Sequence, residues 1–255
     1  AQRLVALWRK AQTRPDLWFS YHVYHKSPDH IGPAVSRALG LPYVIAEPSV
    51  AGKRAEGSFE APYAAAATAI ATADLLLCMT ELDVAGVAEI APRRRIAHLP
   101  PFLDTAPFSA PRPPVRAGVP RLLCVAMMRL GDKLRSYGRL AQALALVPDS
   151  FELWVVGGGE ARSHVEKALA PLGAAVRYWG QVSEDQLPEI YAATDIYVWP
   201  AAGEAYGMAL LEAQASGLPV VAGAVRGVPE IVVHGETGLL APEDDAAAFA
   251  GAVRR

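Results

Sequence analysis

A chain of 255 residues suits one large α/β domain or two small ones, and it is long enough to bury a core. With 52% apolar and 20% charged residues the composition excludes intrinsic disorder, and a formal charge of −2 gives no general attraction for nucleic acid. Cys78 and Cys124 lie in the apolar runs LLLCM and LLCVAMM and read as reduced core residues of a cytoplasmic protein; no Cys or His spacing suits a metal ion.

Both ends read as cut, because the chain opens within the helical stretch LVALWRK and stops within another, EDDAAAFAGAVRR. Between them, near-continuous apolar runs predict strands over 17–23, 42–47, 74–80, 96–100, 121–127, 152–157, 175–180, 195–200 and 218–223. Alternation of such runs with helical stretches is the pattern of parallel β/α units whose strands are buried on both faces. Ser27-Pro28 predicts a helix start with Pro28 at the first helical position. Residues 61–79, broken by Pro62 and Asp74, read as a helix followed by a strand rather than a membrane span. Arg93-Arg94-Arg95 reads as a solvated surface run, with contact to lipid headgroups as the alternative. Four prolines within 109–120 predict an interdomain linker, which places one domain over 1–115 and a second over 116–255. In the second domain, Ser183 with Gln186 predicts a capping box.

Ligands of open parallel sheets sit at the carboxyl ends of the strands. After the run at 195–200 comes a loop carrying Glu204, then Gly207, then a helix containing Glu212. A helix start offers unpaired N–H groups and partial positive charge, which suits a diphosphate, and Gly207 lets a ligand approach the backbone. Glu212, five residues further on, is placed to accept hydrogen bonds from two ribose hydroxyls, and Glu204 would face the far end of the same ligand. Gly157-Gly158-Gly159 reads as a tight strand-to-helix turn, since it lacks the spacing of a dinucleotide fingerprint or a P-loop.

EAYGMALLE over 204–212 resembles the E-x7-E motif of glycosyltransferase family 4, the large retaining group with the GT-B fold. ELWVVGGGE (152–160), VSEDQLPEIYAATDIYVWPA (182–201) and GVPEIVVHGETGLLAPEDD (227–245) resemble further parts of that family in the same order, so the likeness covers nearly all of 121–255. The resemblance implies two Rossmann-like parallel-sheet domains with a cleft between them, the first incomplete, and a nucleotide-diphosphate sugar as donor. It implies that Glu212 holds the ribose, that Glu204 contacts the sugar, and that Tyr206, Gly207 and Met208 present backbone N–H groups. Lys133, with Arg129 standing in for the arginine expected near Met127, would grip the phosphates. Gly158, Gly180 and Val182 would line the nucleotide site; Trp179 reads as core packing, with contact to the base as the alternative.

The first domain is less informative. YHVYHK resembles the family's strand ending in a histidine, so His22 is carried over as a catalytic-site residue, with His25 second. At the end of the next strand Glu47-Pro48-Ser49 replaces the usual Thr-x-His; Glu47 contacts an acceptor hydroxyl or caps the turn. LPPFLDTAPF (99–108) resembles the family connector, with Pro101 and Phe102 as departures and Asp104 and Phe108 as matches; the opening strand and glycine-rich loop have no counterpart. The implied reaction is metal-independent transfer of a sugar, with retained anomeric configuration, to a saccharide or lipid-linked acceptor in cell-envelope polysaccharide synthesis. The implied location is the cytoplasm or the inner face of the membrane, without nucleic acid as a partner. A nucleotide-sugar 2-epimerase and a non-catalytic nucleotide-sugar-binding subunit are the alternatives. No cofactor is expected, and the sequence does not fix the oligomeric state.

Overall fold

The computed structural model describes residues 1–50, 60–109 and 118–255. The chain divides into two compact units, Ala1–Pro100 and Pro101–Arg255. The boundary expected near residue 115 lies outside the described residues, as does most of the proline-rich linker.

The first unit opens with helix α1 (Gln2–Lys10). A four-stranded parallel sheet follows in the order β1 (Trp18–Tyr21), β2 (Tyr43–Ala46), β3 (Leu75–Cys78) and β4 (Ile96–His98). Helices α2 (Gly32–Leu39), α3 (Glu60–Thr72) and α4 (Glu81–Val87) connect these strands. Val35, Ala66, Ala69, Ile70 and Val87 from the helices close over Ile45 and Leu76 of the sheet, forming one hydrophobic core. As expected, α3 gives way to β3 around Asp74, whereas Pro62 does not break the stretch but lies in the first turn of α3; no helix among the described residues is long and apolar enough to cross a membrane.

Two expectations for this unit are corrected. Helix α2 starts at Gly32 with Pro33 in its first turn, not at Ser27-Pro28. The cause is Asp29, whose Oδ1 accepts from the N–H groups of Ile31 (2.8 Å) and Gly32 (2.7 Å) and so satisfies two orphan donors of the helix start. Ser27 is used instead in a short bridge with Tyr24. The second correction is β1, which was expected to be buried on both faces. It is an edge strand with alternating burial, and Phe19 and Tyr21 are 55% and 62% exposed.

The second unit holds a six-stranded parallel sheet in the order β10-β9-β8-β5-β6-β7: β5 (Arg121–Val125), β6 (Glu152–Val156), β7 (Val176–Gly180), β8 (Ile196–Trp199), β9 (Val220–Gly223) and β10 (Gly238–Ala241). Its helices are α5 (Asp132–Leu144), α6 (Arg162–Leu169), α7 (Leu187–Ala192), α8 (Met208–Ala215), α9 (Val228–Ile231) and α10 (Ala246–Val253). The central strands carry apolar side chains on both faces, and with α5, α8 and α10 they form one large core. The capping box at Ser183 and Gln186 is present. Strand β10 is not among the runs that predict strands. It pairs with β9 because Gly238 has no Cβ to strike the Val220 carbonyl.

Asp29 holds the first unit together. Besides the two helix N–H groups, its Oδ2 accepts from Ser20 Oγ (2.5 Å), Tyr43 Oη (2.8 Å) and Trp18 Nε1 (3.1 Å), joining β1, β2 and α2. Burial alone would raise its pKa above the ordinary 3.8, but donation from Gly32, Ser20, Ile31 and Tyr43 outweighs burial and lowers it. A carboxylate lowered in the folded state contributes stability at pH values above its unfolded pKa. That contribution drains away as the pH falls through the folded value. Asp29→Asn is therefore expected to cost about 2 kcal/mol at neutral pH. It should also flatten the loss of stability below pH 3.8, measured by urea unfolding followed through tryptophan fluorescence. Parallel stability–pH curves for the two proteins would contradict this account.

Candidate functional site

The carboxyl ends of the second unit's strands are shaped by close backbone approach. Tyr137 and Tyr197 are buried, and burial raises both phenols above their ordinary pKa, so they remain donors. Their hydroxyls donate to the carbonyls of Ala126 (2.9 Å) and Val125 (3.1 Å) and fix the end of β5. Beyond it, Met128 N–H donates to the Gly158 carbonyl at 2.9 Å, and Gly157 N–H donates to the Gly180 carbonyl at 2.8 Å. Gly157 and Gly159 have φ of 133° and 149°, and a Cβ on either would strike the Ala126 or Met128 carbonyl. The glycine turn, Gly158 included, is thus a packing device that draws the loop after β5 and the end of β7, at Gly180, toward the end of β6. Buried Cys124, within β5, has its thiol pushed up to about 12 by burial, so it is a core residue rather than a nucleophile.

The loop after β8 bends through Ala201 (φ 60°) and Gly203 (φ 64°). A side chain at Gly203 would collide with the Asp132 carboxylate, so the missing Cβ lets this loop lie on the first turn of α5. Lys133 and Glu204 meet there. Lys133 Nζ lies 2.5 Å from Glu204 Oε2, and Trp199 Nε1 donates to the same oxygen at 3.2 Å. The ammonium also lies 5.4 Å from the centroid of the Trp199 ring. The two charged side chains are only 25% and 15% exposed, so solvent screens the pair less than it would at the surface.

Gly207, with φ 83°, precedes α8, whose start has no side-chain cap and no acid in its first turn. Met208 is partly exposed there, and Tyr206 packs against the core. Glu212 follows in the second turn. Its Oε2 accepts a 2.8 Å hydrogen bond from Tyr191 Oη, which also contacts the Ala209 carbonyl at 3.3 Å. Burial, reinforced by Tyr197 and Glu212, holds the Tyr191 phenol well above its ordinary 10.0 and keeps it a donor. Glu212 Oε1 has no hydrogen-bond partner among the described residues.

Lys133, Glu204, Gly207 and Met208 therefore gather at the carboxyl ends of the central strands, with Glu212 one turn along α8. Arg129 is exposed and has no side-chain partner among the described residues, so it does not join the Lys133–Glu204 pair. Val182 is partly buried against the core. Trp179, favoured as core packing, is corrected: it lies on edge strand β7, 41% exposed, with its ring 4.7 Å from Trp154 and the Arg177 guanidinium 5.7 Å away. Sequence reasoning missed Trp199 and Tyr191, which hold the two glutamates. The available signal was a polar N–H and a phenol inside otherwise apolar segments, each needing a partner when buried.

In the first unit, His22 and Glu47 end adjacent strands, both in the left-handed region at φ 59° and 55°. His22 Nδ1 lies 3.0 Å from Glu47 Oε1. Two non-glycine residues in that conformation side by side mark backbone strain of the kind found at functional sites. His25 packs edge-on against Tyr24 with ring centroids 5.2 Å apart. Among the described residues no three His, Cys, Asp or Glu side chains are grouped to hold a metal ion.

Tyr191→Phe removes only the hydroxyl that holds Glu212. It is expected to lower the stability of the second unit by about 1–2 kcal/mol in urea unfolding. An unchanged midpoint would show that the Tyr191–Glu212 bond carries no weight.

The family described as Glycosyl transferases group 1 matches residues 119–255. The D-inositol 3-phosphate glycosyltransferase of Acidothermus cellulolyticus is 29% identical over 278 residues, covering 98% of this chain and 62% of that protein. The GDP-mannose-dependent alpha-(1-6)-phosphatidylinositol monomannoside mannosyltransferase of Mycolicibacterium smegmatis is 34% identical over 182 residues, covering 64% of this chain and 47% of that protein. The chain thus spans about half to three fifths of these curated relatives' lengths. The structure of Anabaena Alr3699/HepE in complex with UDP superposes with a TM-score of 0.78 at 17% identity, covering 100% of this chain and 72% of that one. The two parallel-sheet units are those of the GT-B fold. With more than half of its length matched, the chain belongs to the glycosyl transferases group 1 family.

Proposed function

We propose that this chain carries the donor site of a retaining glycosyltransferase that moves a sugar from a nucleoside-diphosphate sugar to a hydroxyl of a saccharide or lipid-linked acceptor. The observation that carries the reading is the gathering of Lys133 and Glu204 beside the uncapped start of α8, with Glu212 held one turn further along by Tyr191. The relatives' names add support: one is a D-inositol 3-phosphate glycosyltransferase and another a GDP-mannose-dependent mannosyltransferase.

Each residue has a physical task in this reading. The diphosphate rests on the N–H groups around Gly207 and Met208, where the helix start supplies partial positive charge. Lys133 adds a full charge on the leaving phosphate. Charge stabilisation of this kind lowers the barrier because it is in place before the bond breaks. Glu212 accepts from the ribose hydroxyls through Oε1 while Tyr191 occupies Oε2. Glu204 accepts from hydroxyls of the transferred sugar. The bond from the anomeric carbon to the phosphate oxygen breaks, and the acceptor oxygen bonds the same face of that carbon. The acceptor's proton passes to the departing phosphate. Lys133 and the helix start neutralise the diphosphate without a metal ion. His22, paired with Glu47, serves the first unit as a hydrogen-bonding group for a sugar hydroxyl of the acceptor. Arg129 is a secondary phosphate contact. A cytoplasmic protein working at the inner membrane face, in cell-envelope polysaccharide synthesis, fits this donor chemistry.

Calorimetric titration with UDP-, GDP- and ADP-sugars tests the assignment. Lys133→Ala and Glu212→Ala are each expected to weaken the preferred donor about tenfold or more, and EDTA is expected to leave wild-type affinity unchanged. Unchanged affinity in both variants would remove the basis of the proposal.

A further inference from the structure

We infer that the Lys133–Glu204 ion pair makes this site discriminate a sugar-loaded nucleotide from the bare nucleoside diphosphate. The inference rests on the donor-site reading above and concerns its selectivity. In the structure Lys133 is already neutralised: Glu204 Oε2 takes its ammonium at 2.5 Å and the Trp199 indole N–H at 3.2 Å. Both charges are largely out of water, and the pair is fixed from both sides. Gly203 lets the loop press onto Asp132, and the Glu204 side chain lies against Gly207, where a Cβ would stand 3.2 Å from Glu204 Cγ.

A diphosphate that recruits Lys133 must compete with this carboxylate. A bare nucleoside diphosphate gives Glu204 nothing in exchange. It leaves the carboxylate with the Trp199 N–H alone, largely out of water, next to added negative charge, and an uncompensated buried charge is costly. A hexose on the terminal phosphate changes the balance, because its hydroxyls donate to the carboxylate that has lost its ammonium. The same pair of residues therefore favours the loaded donor over the bare nucleotide. Once the sugar has left, Glu204 recaptures Lys133 and promotes release of the product nucleotide. The ligand class selected is a nucleoside-diphosphate hexose with free hydroxyls at the end distant from the nucleotide.

Glu204→Gln isolates the charge, since the amide oxygen still accepts from Trp199. Calorimetry on wild type and variant would use UDP, GDP and ADP, their glucose or mannose conjugates, and inorganic pyrophosphate as a nucleotide-free probe. The variant is expected to bind the preferred bare diphosphate and pyrophosphate about tenfold tighter, with no comparable gain for the sugar conjugate. The ratio of loaded to bare affinity should therefore collapse. Bare-nucleotide affinity unchanged within about twofold, or an equal loss for loaded and bare ligands, would overturn the inference while leaving the donor site intact. No binding of any ligand to either protein would overturn the donor-site reading itself and the inference with it. If the amide variant does not fold, Glu204→Ala carries the same test, with the same direction expected for the bare diphosphate.

Discussion

The second unit is organised around a single carboxylate oxygen. Glu204 Oε2 receives a lysine from the start of α5 and an indole N–H from the end of β8, so it ties two connections of the sheet into one electrostatic centre. Its position depends on backbone rather than side chain: Gly203 must lack a Cβ for the loop to reach α5, and Ala201 and Gly207 must hold positive φ for the loop to turn. The glycine turn at 157–159 acts likewise, drawing the loops after β5 and β6 to within hydrogen-bond distance. What results, at the carboxyl ends of the central strands, is a helix start with backbone N–H groups beside one held cation and two held acids.

The two candidate acids, Glu204 and Glu212, each have a supporting partner deeper in the protein. Trp199 and Tyr191, at 2% and 0% exposure, are core residues whose polar atoms reach back toward Glu204 and Glu212. A buried N–H or phenol without a partner is expensive, so the core itself fixes where the acids point. The acids therefore need little ordering when a ligand arrives, which spares affinity that a mobile side chain would lose. In the first unit Asp29 plays the equivalent structural part, fastening β1, β2 and α2 through five donors.

The architecture was largely legible because buried parallel strands leave near-continuous apolar runs; among the described residues, every strand but β10 lies within such a run, each trimmed by a residue or more. The exception, β10, is four residues long, and its pairing depends on a glycine approaching a carbonyl eighteen positions away in sequence. The start of α2 was misplaced for a similar reason: Pro28 carries a local signal, but Asp29 is held by Ser20 and Tyr43, and local pattern does not report such distant donors. The candidate residues Lys133, Glu204 and Glu212 were legible through their likeness to a family pattern. Their pairing was not, since Lys133 and Glu204 stand 71 positions apart and meet only through the fold. Trp179 illustrates the reverse error, because an aromatic within an apolar run reads as core unless the strand is known to be an edge.

The central claim is that a nucleotide diphosphate sits on the start of α8 with its ribose against Glu212. The most direct measurement is an amide NMR titration of the isotope-labelled chain with the preferred nucleoside diphosphate. The account predicts saturable shifts concentrated at Gly207, Met208 and Glu212, with smaller ones at Gly158 and Gly180. Saturable shifts confined to other surfaces, with residues 204–212 unmoved, would contradict it.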